Sequence, residues 1–152
     1  MTRGRMLCAG VASLWFACGC GGSANLGTVT GTVKLDGKPL DGAQVEFSPV
    51  AGGRLSAGRS DAQGKYELYF ARDEKGALIG EHVVRITTYF EVDDGGKPRV
   101  TPEKLPTQYN VKSELKQEVR GGSNVIDFDL QGQGPVIQPG ALEKASVRSS
   151  TC

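Results

Sequence analysis

The stretch GTVTGTVKLDGKPLDGAQVEFSP, residues 27–49, has the pattern of two strands joined by a tight turn. In residues 28–35, valine and leucine alternate with threonine and lysine, which is typical of a strand with one buried face. Asp36-Gly37 predicts the turn, because glycine adopts the positive φ that a tight hairpin needs. Pro39 cannot donate to a neighbouring strand, so the second strand, with residues 43–47 alternating again, is predicted to begin after it.

The same alternation returns in short segments up to residue 130, and no window has the 3.6-residue period of a helix. We predict strands near residues 55–60, 65–70, 81–89, 115–119 and 125–130. Six or seven short strands with turns between them indicate an all-β domain, a β-sandwich, over residues 27–130. Residues 131–152 contain Gln, Gly, Pro and Ser without alternation, so we expect a disordered tail there.

The composition agrees with one turn-rich domain and excludes one class of partner. The chain has 152 residues, 22 of them glycine and 7 proline, and 38% are hydrophobic. Its 18 basic and 17 acidic residues leave a net charge of +1, without a prominent basic cluster. Nucleic acid is therefore not an expected partner.

The first residues have the three-part pattern of a secretory signal. Arg3 and Arg5 precede an apolar run from Met6 to Ala17, and small residues and cysteines follow. This run is shorter than the about 20 residues that a membrane-spanning helix needs. We therefore predict an export signal over residues 1–19 and a short tether over residues 20–26.

The cysteines at the end of this signal resemble the bacterial lipobox. Gly19-Cys20-Gly21 looks like the start of a mature lipoprotein, in which the cysteine sulfur receives a diacylglycerol and the signal is cut just before it. Cys18 is the alternative site, and neither cysteine has a leucine three positions before it. A plain signal peptide and a Cys-x-Cys metal or redox pair are the other interpretations. A diacylglycerol supplies the two chains that stable anchoring generally takes.

Four motifs together resemble the carboxypeptidase regulatory-like domain. They are Val29-Thr30-Gly31-Thr32-Val33, Asp36-Gly37-Lys38-Pro39-Leu40, Gly42-Ala43-Gln44-Val45-Glu46-Phe47 and Asp61-Ala62-Gln63-Gly64-Lys65-Tyr66. The resemblance spans residues 27–130 and implies a seven-stranded transthyretin-like (prealbumin-like) β-sandwich that is generally not catalytic. Ser60 occupies the position where this family usually has threonine. With the lipobox and a Leu-Pro-x-x-Tyr-Asn segment at 105–110, the chain resembles small lipoproteins of planctomycete bacteria.

We predict no catalytic residue from this sequence. Transthyretin-like proteins that hydrolyse hydroxyisourate use several histidines and a C-terminal Tyr-Arg-Gly-Ser, whereas this chain has only His82 and ends in Ser149-Ser150-Thr151-Cys152. Without a second imidazole to orient it, His82 is expected to be a structural residue at a sandwich edge. Ser56 and Ser60 lack a His-Asp context. We therefore expect no enzyme, no metal and no cofactor.

A polar insertion at residues 91–102 is the expected binding loop. It contains Asp93, Asp94, Lys97 and Arg99 between Gly and Pro residues, and loops of this length are either functional or mobile. Calcium is a weaker interpretation of Asp93-Asp94, because the further carboxylates of a calcium loop are missing.

Two further side-chain groups have a binding and a structural interpretation. Tyr69, Tyr89 and Phe90 form either an aromatic surface for glycan stacking or ordinary packing. Asp127 and Asp129 share a strand face about 7 Å apart, a spacing that does not suit paired carboxylate catalysis. We expect these two carboxylates to be solvated.

These observations predict a non-catalytic lipoprotein, anchored to a bacterial membrane and facing the periplasm or the exterior, with a structural or binding domain. Its expected partners are the membrane, through the lipid, and an envelope protein or glycan. The alternatives are a carbohydrate- or peptide-binding module and a hydrolase, which would need clustered acid and base groups.

Overall fold

The computed structural model describes residues 25–93, 95 and 98–139, and these residues form an all-β structure, as predicted. One 3-10 turn is present at Thr107–Tyr109. The strands are Leu26–Leu35 (β1), Lys38–Pro39 (β2), Gln44–Pro49 (β3), Ser56–Arg59 (β4), Lys65–Glu67 (β5), Tyr69–Ala71 (β6), Glu74–Lys75 (β7), Ala77–Leu78 (β8), Gly80–Thr87 (β9), Phe90–Asp93 (β10), Pro98–Thr101 (β11), Leu115–Val119 (β12), Gly122–Val125 (β13) and Phe128–Leu130 (β14).

Three predicted segments fall wholly or partly outside these ranges. The predicted signal peptide and most of the tether, residues 1–24, are not among the described residues, nor are residues 140–152 of the predicted tail. In the described part of the chain, no helix has the length and apolar character needed to cross a bilayer.

β1 is the strand on which the first sheet is built. It pairs in parallel with β13 and β14 and antiparallel with β2, β5 and β8. Val29 and Val33 are fully buried, as the alternation predicts. Gly31 interrupts the apolar pattern for a physical reason: a Cβ there would lie 1.8 Å from the carbonyl oxygen of Ile126. The missing side chain lets the segment between β13 and β14 run against β1.

The predicted turn is confirmed, but the predicted hairpin partner of β1 is wrong. Asp36 and Gly37 both have positive φ, 51° and 76°. The strand that returns to β1 is only the two-residue β2, and the alternating residues of β3 belong to the second sheet. Leu40 and Ala43, both buried, lie where the chain crosses between the sheets. Alternation identified both strands but could not show that they lie in different sheets.

The second sheet is antiparallel, in the order β12-β9-β3-β4-β6-β7. β9 lies between β12 and β3, with His82 opposite both Gln117 and Pro49. The expectation that His82 lies at a sheet edge is therefore wrong. His82 is 1% exposed and belongs to an inner strand.

The buried faces of the two sheets form one hydrophobic core. Its members are Val29, Val33, Leu40, Ala43, Val45, Phe47, Tyr66, Leu68, Ala77, Val84, Ile86, Leu105, Val119, Phe128 and Leu130.

The sheets are joined at one corner, where β5 pairs with β1 while β6, two residues later, pairs with β4. Leu68 lies at this crossing, donating its N–H to the Val29 carbonyl (3.0 Å) and accepting from the Gly76 N–H (2.7 Å). The two sheets therefore share backbone hydrogen bonds as well as apolar contacts.

Residues 131–139 make hydrogen bonds to the domain, whereas the sequence predicted a disordered tail there. The Gly132 N–H donates to Asp36 (2.9 Å), the Thr107 N–H donates to the Pro135 carbonyl (3.0 Å), and Gln138 exchanges hydrogen bonds with the backbone of Glu103. These bonds place the segment against the domain although it contains no strand. The sequence does not predict these contacts, since the segment is polar and its hydrogen-bond partners lie far away along the chain.

Candidate functional site

An open groove of about 840 Å3 lies where the outer side of β1 and β5 in the first sheet meets Arg59 and Tyr69 of the second sheet, and we call it the β1–β5 groove. It exists because the residues of β1 and β5 that alternate with the buried ones point away from the core. Polar and aromatic side chains line it, among them Thr30, Thr32, Lys65, Tyr69 and Asp127.

Asp127 is held in place on one side of the groove. Its Oδ1 accepts hydrogen bonds from the Thr32 N–H (2.7 Å) and the Thr32 hydroxyl (2.8 Å). The side chain is exposed, as predicted for the outer face, but it also links the segment after β13 to β1. The carboxylate thus presents an oriented acceptor at the surface.

Tyr66 and Glu67 show the two sides of β5. The Tyr66 hydroxyl donates to the Ile126 carbonyl (2.7 Å), and burial, with the nearby charge of Asp127, raises the pKa of Tyr66. This phenol is therefore a structural donor. Glu67 lies on the outer side, where hydrogen bonds from Lys75 (2.9 Å) and the Tyr69 hydroxyl (3.0 Å) lower the pKa of its carboxyl group.

Aromatic and basic side chains border the groove. The guanidinium of Arg59 lies 4.3 Å from the ring centre of Phe90, a cation–π distance. Tyr69 is 39% exposed, with the Lys75 ammonium 5.8 Å from its ring centre. Of the three aromatic residues that the sequence suggested as a binding surface, Tyr69 lines the groove together with Arg59, and Phe90 contacts Arg59. The third, Tyr89, donates its hydroxyl to Glu91 (2.9 Å). The groove thus combines an aromatic ring with charges of both signs.

The predicted binding loop forms a separate hairpin, β10–β11. The two strands pair with each other, and every one of their residues is exposed. Asp93 ends β10, and Arg99 lies in β11 opposite Val92. Asp94 and Lys97 lie outside the described residues, as do both candidate lipidation sites, Cys20 and Cys18.

His82 is oriented toward the core and not toward the groove. Its Nδ1 donates to the Gly80 carbonyl (2.9 Å), and its ring centre lies 5.7 Å from that of Phe47. Burial lowers the pKa of His82, so the ring is neutral at neutral pH. Packed among apolar side chains, it has the environment of a structural residue.

Glu103 is a buried charge that sequence analysis missed. It is 5% exposed and accepts hydrogen bonds from the Thr87 hydroxyl, from the N–H and hydroxyl of Thr88 (3.0 and 2.8 Å), and from the N–H groups of Lys104 and Leu105 (both 3.0 Å). Burial alone would raise the pKa of this carboxyl, but the hydrogen bonds outweigh it and lower the pKa. Sequence offered no signal, because a single glutamate beside Pro102 resembles any loop residue.

Among residues 25–93, 95 and 98–139, no group of three or more His, Cys, Asp or Glu side chains is arranged to hold a metal ion.

Comparison with known proteins finds similarity at the level of part of a solved structure. A scan of protein-family models finds no match to the chain, and a search of curated proteins finds none either. Among solved structures, the chain is similar to part of the crystal structure of a 9R-lipoxygenase from Cyanothece, at 18% identity and a TM-score of 0.39. The similarity covers 70% of this chain and 16% of the lipoxygenase chain.

Proposed function

We propose that this chain is a non-catalytic lipoprotein of the bacterial cell envelope, with one transthyretin-like, carboxypeptidase regulatory-like sandwich that serves in structure or binding. The observation that supports this best is the contact between its motifs. The Val33 N–H donates to the Gly64 carbonyl (2.7 Å), and the Gly42 N–H donates to the Ser60 carbonyl (3.0 Å). The first bond joins the first motif to the fourth, and the second bond joins the third motif to the residue before the fourth.

Binding is favoured over catalysis by the state of the polar groups. In the β1–β5 groove, Asp127, Tyr66 and Glu67 are each fixed by hydrogen bonds to the domain itself. His82 is neutral, buried and bonded to its own strand. Asp127 and Glu67, held in fixed positions on the outer face, suit recognition, whereas a general base must be able to reach a reacting proton.

The anchor is assigned to Cys20, with Cys18 as the alternative. It is tested by the N-terminal mass of the mature protein from a detergent-extracted membrane fraction. We expect a diacylglyceryl cysteine at position 20, and we expect the Cys20→Ser variant to be unprocessed or released. Cys18→Ser is the matched control, because it should leave the anchor unchanged. An unmodified N-terminus in the soluble fraction would remove the anchor from the proposal.

Carbohydrate binding is a second candidate function, and the exposed ring of Tyr69 in the β1–β5 groove favours it. Thr30, Lys65 and Asp127 line the same groove as this ring, with Lys65 as a donor and the Asp127 carboxylate as an acceptor. Sugars have apolar faces and many hydroxyl groups, so an aromatic ring among mixed donors and acceptors suits them.

The test for carbohydrate binding is a glycan array with the lipidated protein in detergent. Tyr69→Ala and Lys65→Ala should each lose the signal, and Arg99→Ala, on the hairpin, should keep it. Loss in Arg99→Ala alone would move the site to the predicted loop 91–102. Binding to an envelope peptide and not to glycans would favour the peptide alternative. Turnover that disappears in His82→Ala would overturn the non-catalytic proposal.

A further inference from the structure

The N-terminal tether joins the domain beside Ile79. The Asn25 carbonyl accepts a hydrogen bond from the Ile79 N–H (2.9 Å), and Leu26 pairs with Leu78 at the start of β1. These contacts fix where the preceding residues join the domain, on the side where β8 ends and β9 begins.

Two further loops meet Leu78 and Ile79 at this point. A Cβ at Gly53 would lie 3.1 Å from Leu78 Cδ1, and a Cβ at Gly121 would lie 3.4 Å from Ile79 Cδ1. In the same loop as Gly53, the Val50 N–H donates to the Glu81 carbonyl (2.9 Å). We call the surface formed by Val50, Gly53, Leu78, Ile79 and Gly121 the tether face.

The tether face exposes apolar side chains. Val50 is 54% exposed and Ile79 is 47% exposed. A single exposed apolar residue is ordinary on a protein surface, but here two lie on neighbouring loops at the point where the tether joins.

Acidic side chains near the tether face are neutralised by basic ones. Glu81 forms an ion pair with Lys116 (3.3 Å), and Glu118 forms one with Arg120 (3.3 Å). This pairing reduces the repulsion that free carboxylates would meet at an anionic lipid surface.

Chain length brings the tether face close to the proposed anchor. Asn25 lies five positions after Cys20, and a fully extended chain over these five steps spans at most about 18 Å. β9 leads from Gly80, beside this face, to Thr87 about 23 Å away. The hairpin β10–β11 follows Thr87, so it lies at the opposite end of the domain.

We infer that the tether face contacts the lipid bilayer, with Val50 and Ile79 among the lipid headgroups and the hairpin β10–β11 directed away. This inference rests on the proposed anchor at Cys20. The contact would add apolar burial to the lipid anchor and would give the domain one orientation on the membrane. The β10–β11 loop would then be presented to partners outside the bilayer.

The test measures membrane depth at two positions of the full-length lipidated protein. Ile79→Cys and Val100→Cys are made in a Cys152→Ser background, labelled with an environment-sensitive fluorophore and reconstituted in phosphatidylethanolamine–phosphatidylglycerol vesicles. Val100, 52% exposed on the hairpin, is the matched control for Ile79. We expect doxyl-labelled lipids to quench the label at position 79 and aqueous iodide to quench the label at position 100.

The outcomes separate the two proposals. A vesicle-bound protein whose two labels are quenched equally by iodide, or whose label at position 100 is the deeper, overturns the bilayer contact and leaves the anchor intact. A protein that does not remain with the vesicles overturns the anchor itself. Val50→Cys gives an independent second position, and it should behave like position 79 if the whole face is in contact.

Discussion

At the residue scale, Glu103 is the clearest determinant of stability. Glu103→Ala would leave the donors of Thr87, Thr88 and Leu105 without their acceptor inside the domain, and buried donors without partners are costly. We expect a loss of about 3–5 kcal/mol in the free energy of unfolding, measured by urea denaturation. Glu114→Ala, at an exposed position, is the control and should change stability by less than about 0.5 kcal/mol. Similar values for both variants would contradict this role.

The same carboxyl group predicts a pH dependence. Its pKa is lowered in the folded protein, so in acid the unfolded state binds the proton more readily. The stabilisation by Glu103 is present above the unfolded pKa, about 4.3, and is lost as the pH falls through the lower folded pKa. Unfolding followed from pH 7 to pH 2 should show a steeper acid loss in the wild type than in Glu103→Gln. Parallel curves would count against the shift.

Two buried serines form a matched pair that tests how much a hydrogen-bonded hydroxyl contributes to stability. The Ser60 hydroxyl accepts from the Ala43 N–H (2.9 Å) and donates to the Leu40 carbonyl (2.6 Å), whereas the Ser56 hydroxyl has no hydrogen-bond partner among the described residues. We expect Ser60→Ala to cost about 1–3 kcal/mol in the free energy of unfolding. Ser56→Ala should be neutral or stabilising, because it removes a buried polar group without a partner. The reverse order in thermal unfolding would refute this account.

At the element scale, the hairpin β10–β11 should be separable from the fold. Its strands pair only with each other among the described residues, and all their residues are exposed. Replacing residues 91–100 by a short turn should change the free energy of unfolding by less than about 1 kcal/mol, as expected for exposed positions. Thermal unfolding followed by circular dichroism gives the comparison, and a large drop in Tm would show that the hairpin belongs to the core.

At the scale of the whole molecule, the corner at Leu68 should make the two sheets unfold together. This side chain is fully buried between β5, which pairs with the first sheet, and β6, which pairs with the second. We expect Leu68→Ala to cost about 2–5 kcal/mol. Amide exchange should then increase in both sheets, whereas Leu55→Ala, at a 45% exposed position, should change neither. Exchange that increases in one sheet alone would contradict the coupling.

The sequence by itself determined the class of the fold and most of its buried faces. Alternation is a local property, so the inward positions of β1, β3 and β9 could be recognised from Val29, Val45 and Ile86 without any partner strand. The turn at Asp36-Gly37 was recognisable for the same reason, since positive φ depends on the residues themselves.

Only the tertiary structure decided which strands share a sheet and what the polar residues do. β1 and β3 look like a hairpin in sequence, but sheet membership depends on pairings between distant residues, such as Thr30 with Val125. The order of strands placed His82 on an inner strand, and long-range hydrogen bonds gave Glu103 its buried role. The β1–β5 groove likewise brings Thr32 beside Asp127, 95 positions apart in the chain. Local pattern sets which side of a strand is buried, but contacts between distant segments set what that side meets.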